Sequence, residues 1–151
     1  MHPTAARLLA RLQERGLDVE VRELPDSTRT ARDAAAACGC ELGQIVKSLV
    51  FVVAGSAAMV LCAGDRRVDA AALGDGARPA SADEAREATG FAIGGVPPLG
   101  HERELPTFAD ASLRRFAHVW CAAGTPNAVF EVELESLLAA LPTVQVLELS
   151  V

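Results

Sequence analysis

A single lysine in the middle of an apolar strand pattern is the first residue in this sequence that could do chemistry. It is Lys47 in the run QIVKSLVFVV, residues 44–53, and the other thirteen of the fourteen basic residues are arginine. Alternate side chains of a strand share a face, which groups Lys47 with Ile45 and Leu49. Because burying an unpaired ammonium costs several kcal/mol, Lys47 must reach water or meet an anion. Two positions are open: the wet end of the strand, with the side chain in solvent, or the wall of a pocket, where a compact cation contacts a ligand.

The loop TGFAIGGVPPLGHERELP, residues 89–106, is the second candidate. Its four glycines and three prolines within eighteen residues exclude an interior helix or a central strand and indicate a rigid loop. The adjacent residues Gly94 and Gly95 allow the backbone to approach a ligand closely, and their N–H groups could hold a carbonyl oxygen or an oxyanion. Pro97 and Pro98 would keep the loop in shape. The alternative is an ordinary tight connection that binds nothing.

Several common catalytic sets are missing from the sequence. It has no GxSxG, GxxxxGK[ST] or GxGxxG motif, and His101-Glu102 is not followed by the second histidine of a zinc-protease helix. Asp110 and the acids of 131–135 are assigned to helix starts and to the surface. We therefore predict no bound metal and no cofactor. Neither the CxxC pairs of a zinc site nor a disulfide scaffold can be built from the four cysteines, Cys38, Cys40, Cys62 and Cys121.

Length, composition and charge limit the class of protein. With 151 residues, half of them hydrophobic, the chain is expected to form one domain, 1–151. It has no run of eighteen apolar residues, and its first sixteen residues form an amphipathic helix pattern without the apolar stretch of a signal peptide, which predicts a soluble cytoplasmic protein with no membrane partner. The formal net charge of −6 disfavours binding to DNA or to any extended phosphate surface, so contact with nucleic acid should be local.

Arginines at positions 7, 11 and 15 form a basic row on the predicted first helix. Their spacing of four residues puts Arg7, Arg11 and Arg15 on one face, away from the leucines of that helix. We interpret this row as a solvated stripe on the helix surface. The alternative is that the row binds nucleic acid.

Hydrophobic periodicity and capping residues predict an α+β fold. Because the strands and helices do not alternate regularly, we expect a mixed, largely antiparallel sheet with flanking helices. The predicted helices cover 4–15, Thr30 to Gly39, VDAAALG, SADEAREATG with a Ser81–Glu84 capping box, and ELESLLAAL; the predicted strands cover 17–24, 45–53 and 57–63 as a hairpin, 116–122, 127–132 and TVQVLEL.

Three segments of the chain carry a family resemblance in their order and spacing. They are KSLVF at 47–51, TGFAIGGVPPLGH at 89–101 and AAGTPNAVFEVELESLL at 122–138. Together they resemble the YbaK/ProX family of aminoacyl-tRNA deacylases, which is related to the editing domain of bacterial prolyl-tRNA synthetase. The resemblance covers nearly the entire chain. It implies a single YbaK/aminoacyl-tRNA synthetase-associated editing domain that hydrolyses, without metal, the ester between a wrongly attached small amino acid and the terminal adenosine of a tRNA.

The resemblance also implies roles for individual residues. Lys47 corresponds to the family's lysine, which engages the terminal nucleotide and helps to fix the ester. Gly94 and Gly95 belong to the pocket loop, whose backbone groups position the ester carbonyl and the attacking water. Because no side chain stands out as base or nucleophile, the family's substrate-assisted route is expected, in which the ribose hydroxyl of the tRNA shares in catalysis. The residues expected to contact the substrate are Thr28, Thr30, Ser48, Val96, Pro97, Pro98, Gly100, His101, Ala122, Ala123 and Gly124.

One departure from the family pattern bears on the substrate. Members that act on cysteinyl-tRNA carry Ser-Gly-Gly and a nearby Asp where this chain has Ala122-Ala123-Gly124 and Val129. The resulting apolar pocket would suit alanine, with tRNA(Pro) as carrier. The partners implied are the tRNA acceptor end and, as a further candidate, prolyl-tRNA synthetase; the protein is expected to be a monomer or a homodimer.

Three questions stay open at the level of sequence. A module of the same fold could bind tRNA or a synthetase without turnover. A hydrolase acting on another small ester or amide could keep the site and change the substrate. His101 could touch the acceptor end or be an exposed loop histidine.

Overall fold

Four α-helices and eight β-strands are present in residues 1–25, 28 and 30–151, which the computed structural model describes. The helices of this described part are too short or too polar to span a bilayer. The helices are α1 (Pro3–Glu14), α2 (Ala31–Cys38), α3 (Ala82–Thr89) and α4 (Leu134–Ala140). The strands are β1 (Val21–Glu23), β2 (Val46–Val53), β3 (Ser56–Ala63), β4 (Arg78–Pro79), β5 (Thr107–Asp110), β6 (His118–Ala122), β7 (Ala128–Glu133) and β8 (Val144–Leu147).

The strands form two sheets, and the α+β prediction with a mixed sheet is confirmed. The larger sheet has the order β4-β2-β3-β5-β8, in which β2 and β3 form the predicted antiparallel hairpin and β5 runs parallel to both of its neighbours. The smaller sheet, β1-β7-β6, is antiparallel. An isolated parallel bridge between Ile45 and Trp120 joins the two sheets and brings the start of β2 next to β6.

Capping side chains define the helices on either side of β2. The hydroxyl of Thr30 accepts the N–H of Asp33 at 3.1 Å and the carboxylate of Asp33 accepts the N–H of Thr30 at 3.3 Å, which begins α2 as predicted. Gly39 ends this helix with a left-handed φ of 69°. Ser81 and Glu84 form the predicted capping box at α3.

The core occupies both faces of β2. Val46 and Val50 pack in the main hydrophobic cluster with α1, α3 and α4, whereas Phe51 packs on the opposite face with Leu149. A strand buried on both faces explains the nearly continuous apolar run in the sequence. It also means that Lys47, which is half-buried, is a cation inside an apolar wall.

Asp110 corrects one sequence-based assignment. It is the N-cap of a 3₁₀ helix, Ala111–Arg115, so the helix-start prediction is right, but it is only 2% exposed and the surface prediction is wrong. Its carboxylate accepts hydrogen bonds from Ser112, from Ser150 and from the N–H of Leu149. Burial by itself would raise the pKa of Asp110, yet these hydrogen bonds together hold that pKa below its ordinary value.

Candidate functional site

A cavity of about 520 Å³ opens between β2, α2, β6 and the glycine-rich loop. Its volume is within the range of small-molecule sites, and its walls are mostly apolar. Each wall comes from a different part of the sequence. The described residues that line it are Thr28, Thr30, Ala31, Ala34, 45–51, Pro79, Ala80, Ala85, Ile93, Gly94, Val96, Trp120, Cys121, Ala122, Pro126 and Val129.

Two positions were expected for Lys47, the wet end of the strand and the wall of a pocket. It lies at the wall of this cavity. Among the described lining residues it carries the only charge. Its Nζ donates a hydrogen bond to the carbonyl of Arg66, in the turn after β3. Because an ammonium has three N–H donors, two remain for a ligand. A compact cation in an apolar wall is suited to a phosphate, a carboxylate or a carbonyl oxygen.

Ser48 adds a neutral polar group beside Lys47. Its Oγ is buried and has no hydrogen-bond partner in the described part of the chain. An unpaired buried hydroxyl costs about 1–3 kcal/mol, so such a group in a cavity wall is a candidate ligand contact. Thr28 and Thr30 line the cavity as well, although the hydroxyl of Thr30 already caps α2.

The two adjacent glycines of the loop have different surroundings: one lies at the cavity and the other in the protein interior. Gly94 lines the cavity with a left-handed φ of 96°. Gly95 is buried behind it, where its carbonyl accepts the N–H of Gly124 at 2.9 Å. A Cβ on Gly95 would lie 2.8 Å from the carbonyl oxygen of Gly124 and 2.8 Å from the Cα of Thr125. The absent side chain therefore lets two backbones touch, and this contact fixes the position of Gly94 and Val96 on the wall.

The C-terminal half of the loop lies behind the cavity wall. Pro97, Pro98, Gly100 and His101, expected to contact a substrate, are not among the described lining residues. The Nε2 of His101 donates to the carbonyl of Pro97 at 2.7 Å, and its ring packs edge-on against Phe91. Burial lowers the pKa of His101, which favours the neutral ring. The histidine is half-buried rather than exposed, and these four residues hold the shape of the loop.

Two of the three arginines in the α1 row also support the loop. The Nη1 of Arg11 donates to the carbonyl of Gly100 at 2.8 Å, and Arg15 forms an ion pair with Glu104 at 3.5 Å. The interpretation of the row as a solvated stripe is therefore wrong for Arg11, because the loop folds back over α1, whereas the ion pair of Arg15 lies at the surface. Arg7 is exposed, as predicted.

The turn region after β6 contributes only apolar side chains to the cavity wall. Ala122 and Val129 line the cavity and offer only methyl groups. Ala123 and Gly124 are buried behind the wall, and a Cβ on Gly124 would lie 3.2 Å from both Phe91 and Thr4. These two residues shape the wall without reaching the cavity.

Several lining residues were not identified from the sequence. Trp120 is 7% exposed, and the guanidinium of Arg22 lies 4.8 Å from the centre of its ring. As the only tryptophan, it could have been noticed. Ile93 is 58% exposed at the edge of the cavity, and no pattern singles it out. Cys121 also lines the cavity, but burial raises the pKa of its thiol, which disfavours the nucleophilic thiolate.

Metal-ligating side chains are not clustered in the described part of the chain. No group of three or more His, Cys, Asp or Glu residues there is placed to hold a metal ion. All four cysteines are free thiols.

Known proteins resemble this chain in both sequence and structure. A family model described as the aminoacyl-tRNA editing domain matches residues 25–140. The uncharacterized protein YwhH of Bacillus subtilis strain 168 is 35% identical over 123 residues, 78% of each chain. The proline–tRNA ligase of Bacillus licheniformis is 31% identical over 118 residues, which are 72% of this chain and 20% of the ligase. The crystal structure of a candidate trans-editing enzyme for prolyl tRNA synthetase superimposes with a TM-score of 0.93 at 46% identity, covering 100% of this chain and 99% of that one.

Proposed function

Because this chain belongs to the aminoacyl-tRNA editing domain family, we propose that it is a trans-acting aminoacyl-tRNA deacylase that hydrolyses a mischarged small amino acid, alanine or similar, from tRNA(Pro). The observation that carries the proposal is the apolar cavity with Lys47 in its wall. Such a cavity has room for a small side chain and offers one cation to the charged end of a tRNA. The tRNA acceptor end is the proposed ligand, with prolyl-tRNA synthetase as a further proposed partner.

The proposed reaction is ester hydrolysis assisted by the substrate. Water attacks the carbonyl carbon of the aminoacyl ester, the bond from that carbon to the ribose oxygen breaks, and the ribose oxygen leaves with a proton. The neighbouring ribose hydroxyl shares in the proton transfer, since no described side chain at the cavity is placed as a general base. Lys47 holds the terminal nucleotide and the ester, and the backbone at Gly94 positions the carbonyl. The proposed route uses no metal.

The apolar wall supports discrimination by size. A synthetase site gains only about 1–3 kcal/mol from one methylene, which is too little to reject a smaller amino acid, whereas a second small pocket excludes the larger correct one. Ala122 and Val129 give the pocket no polar group to bind a thiol at this wall. The net charge of −6 agrees with contact limited to the unpaired acceptor end, where a few contacts suffice.

A comparison of aminoacyl-tRNAs tests this function. We expect hydrolysis of Ala-tRNA(Pro) to be at least about tenfold faster, as kcat/KM, than hydrolysis of Cys-tRNA, and Pro-tRNA(Pro) to be spared. Equal or faster hydrolysis of Cys-tRNA would contradict the alanine assignment. Binding of the acceptor end without turnover of any substrate would favour a binding module, and turnover of a free amino-acid ester without dependence on tRNA would favour a different hydrolase.

The unpaired hydroxyl of Ser48 leads to a prediction that its removal raises stability and weakens substrate binding. We expect Ser48→Ala to raise the free energy of unfolding by about 1 kcal/mol, since the buried unpaired hydroxyl is removed. The same change should raise the KM for Ala-tRNA(Pro) about three- to tenfold, because one hydrogen bond to the substrate is lost. Urea unfolding and steady-state deacylation measure the two effects. Ser48→Thr keeps a hydroxyl and is the control; a stability gain with unchanged KM would exclude Ser48 from substrate binding.

A further inference from the structure

A chain of hydrogen bonds leads from the most buried carboxylate in the described structure to the ammonium of Lys47. At its end, the Nζ of Lys47 donates to the carbonyl of Arg66. The residues that follow, Arg67–Asp69, pair with Leu149–Val151, which we name the tail segment. The N–H of Asp69 donates to Leu149 at 2.7 Å, and the N–H of Val151 donates to Arg67 at 2.9 Å.

Asp110 anchors the tail segment from below. One oxygen of its carboxylate accepts the N–H of Leu149 at 2.7 Å, and the other accepts the hydroxyl of Ser150 at 2.7 Å. The side chain of Leu149 is 1% exposed and packs with Phe51 and Val60 in its own hydrophobic cluster. Because ionised acceptors make stronger hydrogen bonds and this one is shielded from water, the tail segment has a firm attachment to the protein core.

A second contact holds the same turn from the other side. Arg115 forms two hydrogen bonds to the carboxylate of Asp65, at 2.9 and 2.7 Å. Their side chains are 36% and 33% exposed, so solvent and salt screen this pair. The turn itself is closed by the N–H of Arg66, which donates to the carbonyl of Ala63 at 2.9 Å. Of the two contacts that hold this turn from elsewhere in the chain, the buried attachment through Asp110 is the stronger.

Such a constraint matters for a lysine in particular. The side chain of lysine is long and flexible, and its ammonium has no directional shape of its own, so its position depends on what its N–H groups meet. A displacement of about 1 Å at a reacting group can cost a factor of about a hundred in rate. A fixed carbonyl takes one N–H of Lys47 and leaves the other two for a ligand.

We propose that Asp110 and Ser150 are positioning residues for Lys47, acting through the tail segment and the carbonyl of Arg66. Neither residue is among the described residues that line the cavity, so their proposed effect on the reaction is indirect. For catalysis the proposal rests on the proposed function. The effect on the geometry of Lys47 stands independently of it.

Two serines donate hydrogen bonds to the same carboxylate, and substituting each of them gives a matched pair of variants. The hydroxyls of Ser112 and Ser150 both donate to Asp110, but only Ser150 belongs to the tail segment. We expect Ser150→Ala to lower kcat for Ala-tRNA(Pro) by at least about fivefold with little change in KM, and Ser112→Ala to leave kcat within about twofold. Ser150→Thr, which keeps the hydroxyl, should restore most of the rate. Urea unfolding of the variants shows whether their stabilities are comparable.

Nuclear magnetic resonance on protein labelled with ¹³C-lysine gives the second measurement. Because Lys47 is the only lysine, its Hε and Cε signals need no further assignment. We expect Ser150→Ala to move these signals toward those of a free lysine side chain, and Ser112→Ala to leave them in place. Equal signals in the two variants would overturn the proposal whether or not the wild type deacylates tRNA. If the wild type shows no deacylase activity, the proposed function is rejected. The lysine signals alone then decide whether Asp110 and Ser150 position Lys47.

Discussion

Replacing Lys47 with alanine is expected to lower the rate of Ala-tRNA(Pro) hydrolysis by at least about a hundredfold while leaving the protein folded. Removal of a single fixed hydrogen-bond donor from an active site has effects of this size. The loss of stability should stay within about 1 kcal/mol, because the substitution breaks one hydrogen bond, to the carbonyl of Arg66, and leaves no charge unpaired. Single-turnover deacylation and thermal unfolding, measured on the same preparations, separate the two effects.

The control for this substitution is Lys47→Arg. It keeps the positive charge but replaces a compact ammonium with a wide planar fork, which cannot present the same donors at the Arg66 carbonyl. We expect it to recover less than about a tenth of the wild-type rate. Full activity of Lys47→Ala would remove Lys47 from the mechanism; full activity of Lys47→Arg would show that charge alone matters.

Substituting Gly95 with alanine should damage both stability and activity. The new Cβ would lie 2.8 Å from two backbone atoms of the turn after β6, and backbone cannot move aside as a flexible side chain can. We expect the free energy of unfolding to fall by about 1–3 kcal/mol, the usual range for overpacking. Because the Gly95–Gly124 hydrogen bond sets the position of the cavity loop, kcat/KM should fall at least about tenfold at temperatures where the variant is folded.

Gly55→Ala is the matched control for that experiment. Gly55 lies in the turn between β2 and β3 with a φ of 81°, and a Cβ there would meet no atom within 4 Å. The substitution therefore introduces backbone strain of about 1–2 kcal/mol without a collision, at a residue that does not line the cavity. We expect it to cost stability and to leave kcat/KM unchanged. A Gly95→Ala protein that loses no more activity than Gly55→Ala would argue against the loop contact as a determinant of the site.

Sequence patterns predicted the elements whose signals are local. The capping residues Thr30 and Ser81 mark helix starts, and the β2–β3 run is apolar enough to identify a buried hairpin. Strand β5 was not predicted, because it is a four-residue segment that ends in an aspartate. It becomes a strand only by pairing in parallel with β3 and β8, which are distant in sequence.

The same distinction applies to the site. Lys47 stood out because a lysine in an apolar strand breaks the local pattern, and the glycine pair stood out because of its composition. By contrast, which side of the loop faces the cavity depends on how the chain folds back over α1, through Arg11 and the carbonyl of Gly100. His101 and the two prolines therefore could not be assigned to the back of the wall from the sequence. The roles proposed for the cavity residues remain predictions for the experiments above.

The walls of the cavity come from separate parts of the sequence, so the cavity can form only after all of these parts have been synthesised. β1 pairs with β7, so that Val21 lies opposite Phe130, and β2 reaches β6 through the Ile45–Trp120 bridge. Contacts between such distant positions give a high contact order, which slows folding compared with a helical protein of this size. A nascent chain arrested before β6 and β7 leave the ribosome lacks one whole wall. Ligand binding should therefore begin only after β6 and β7 have been synthesised, and translation products that lack these two strands should be inert.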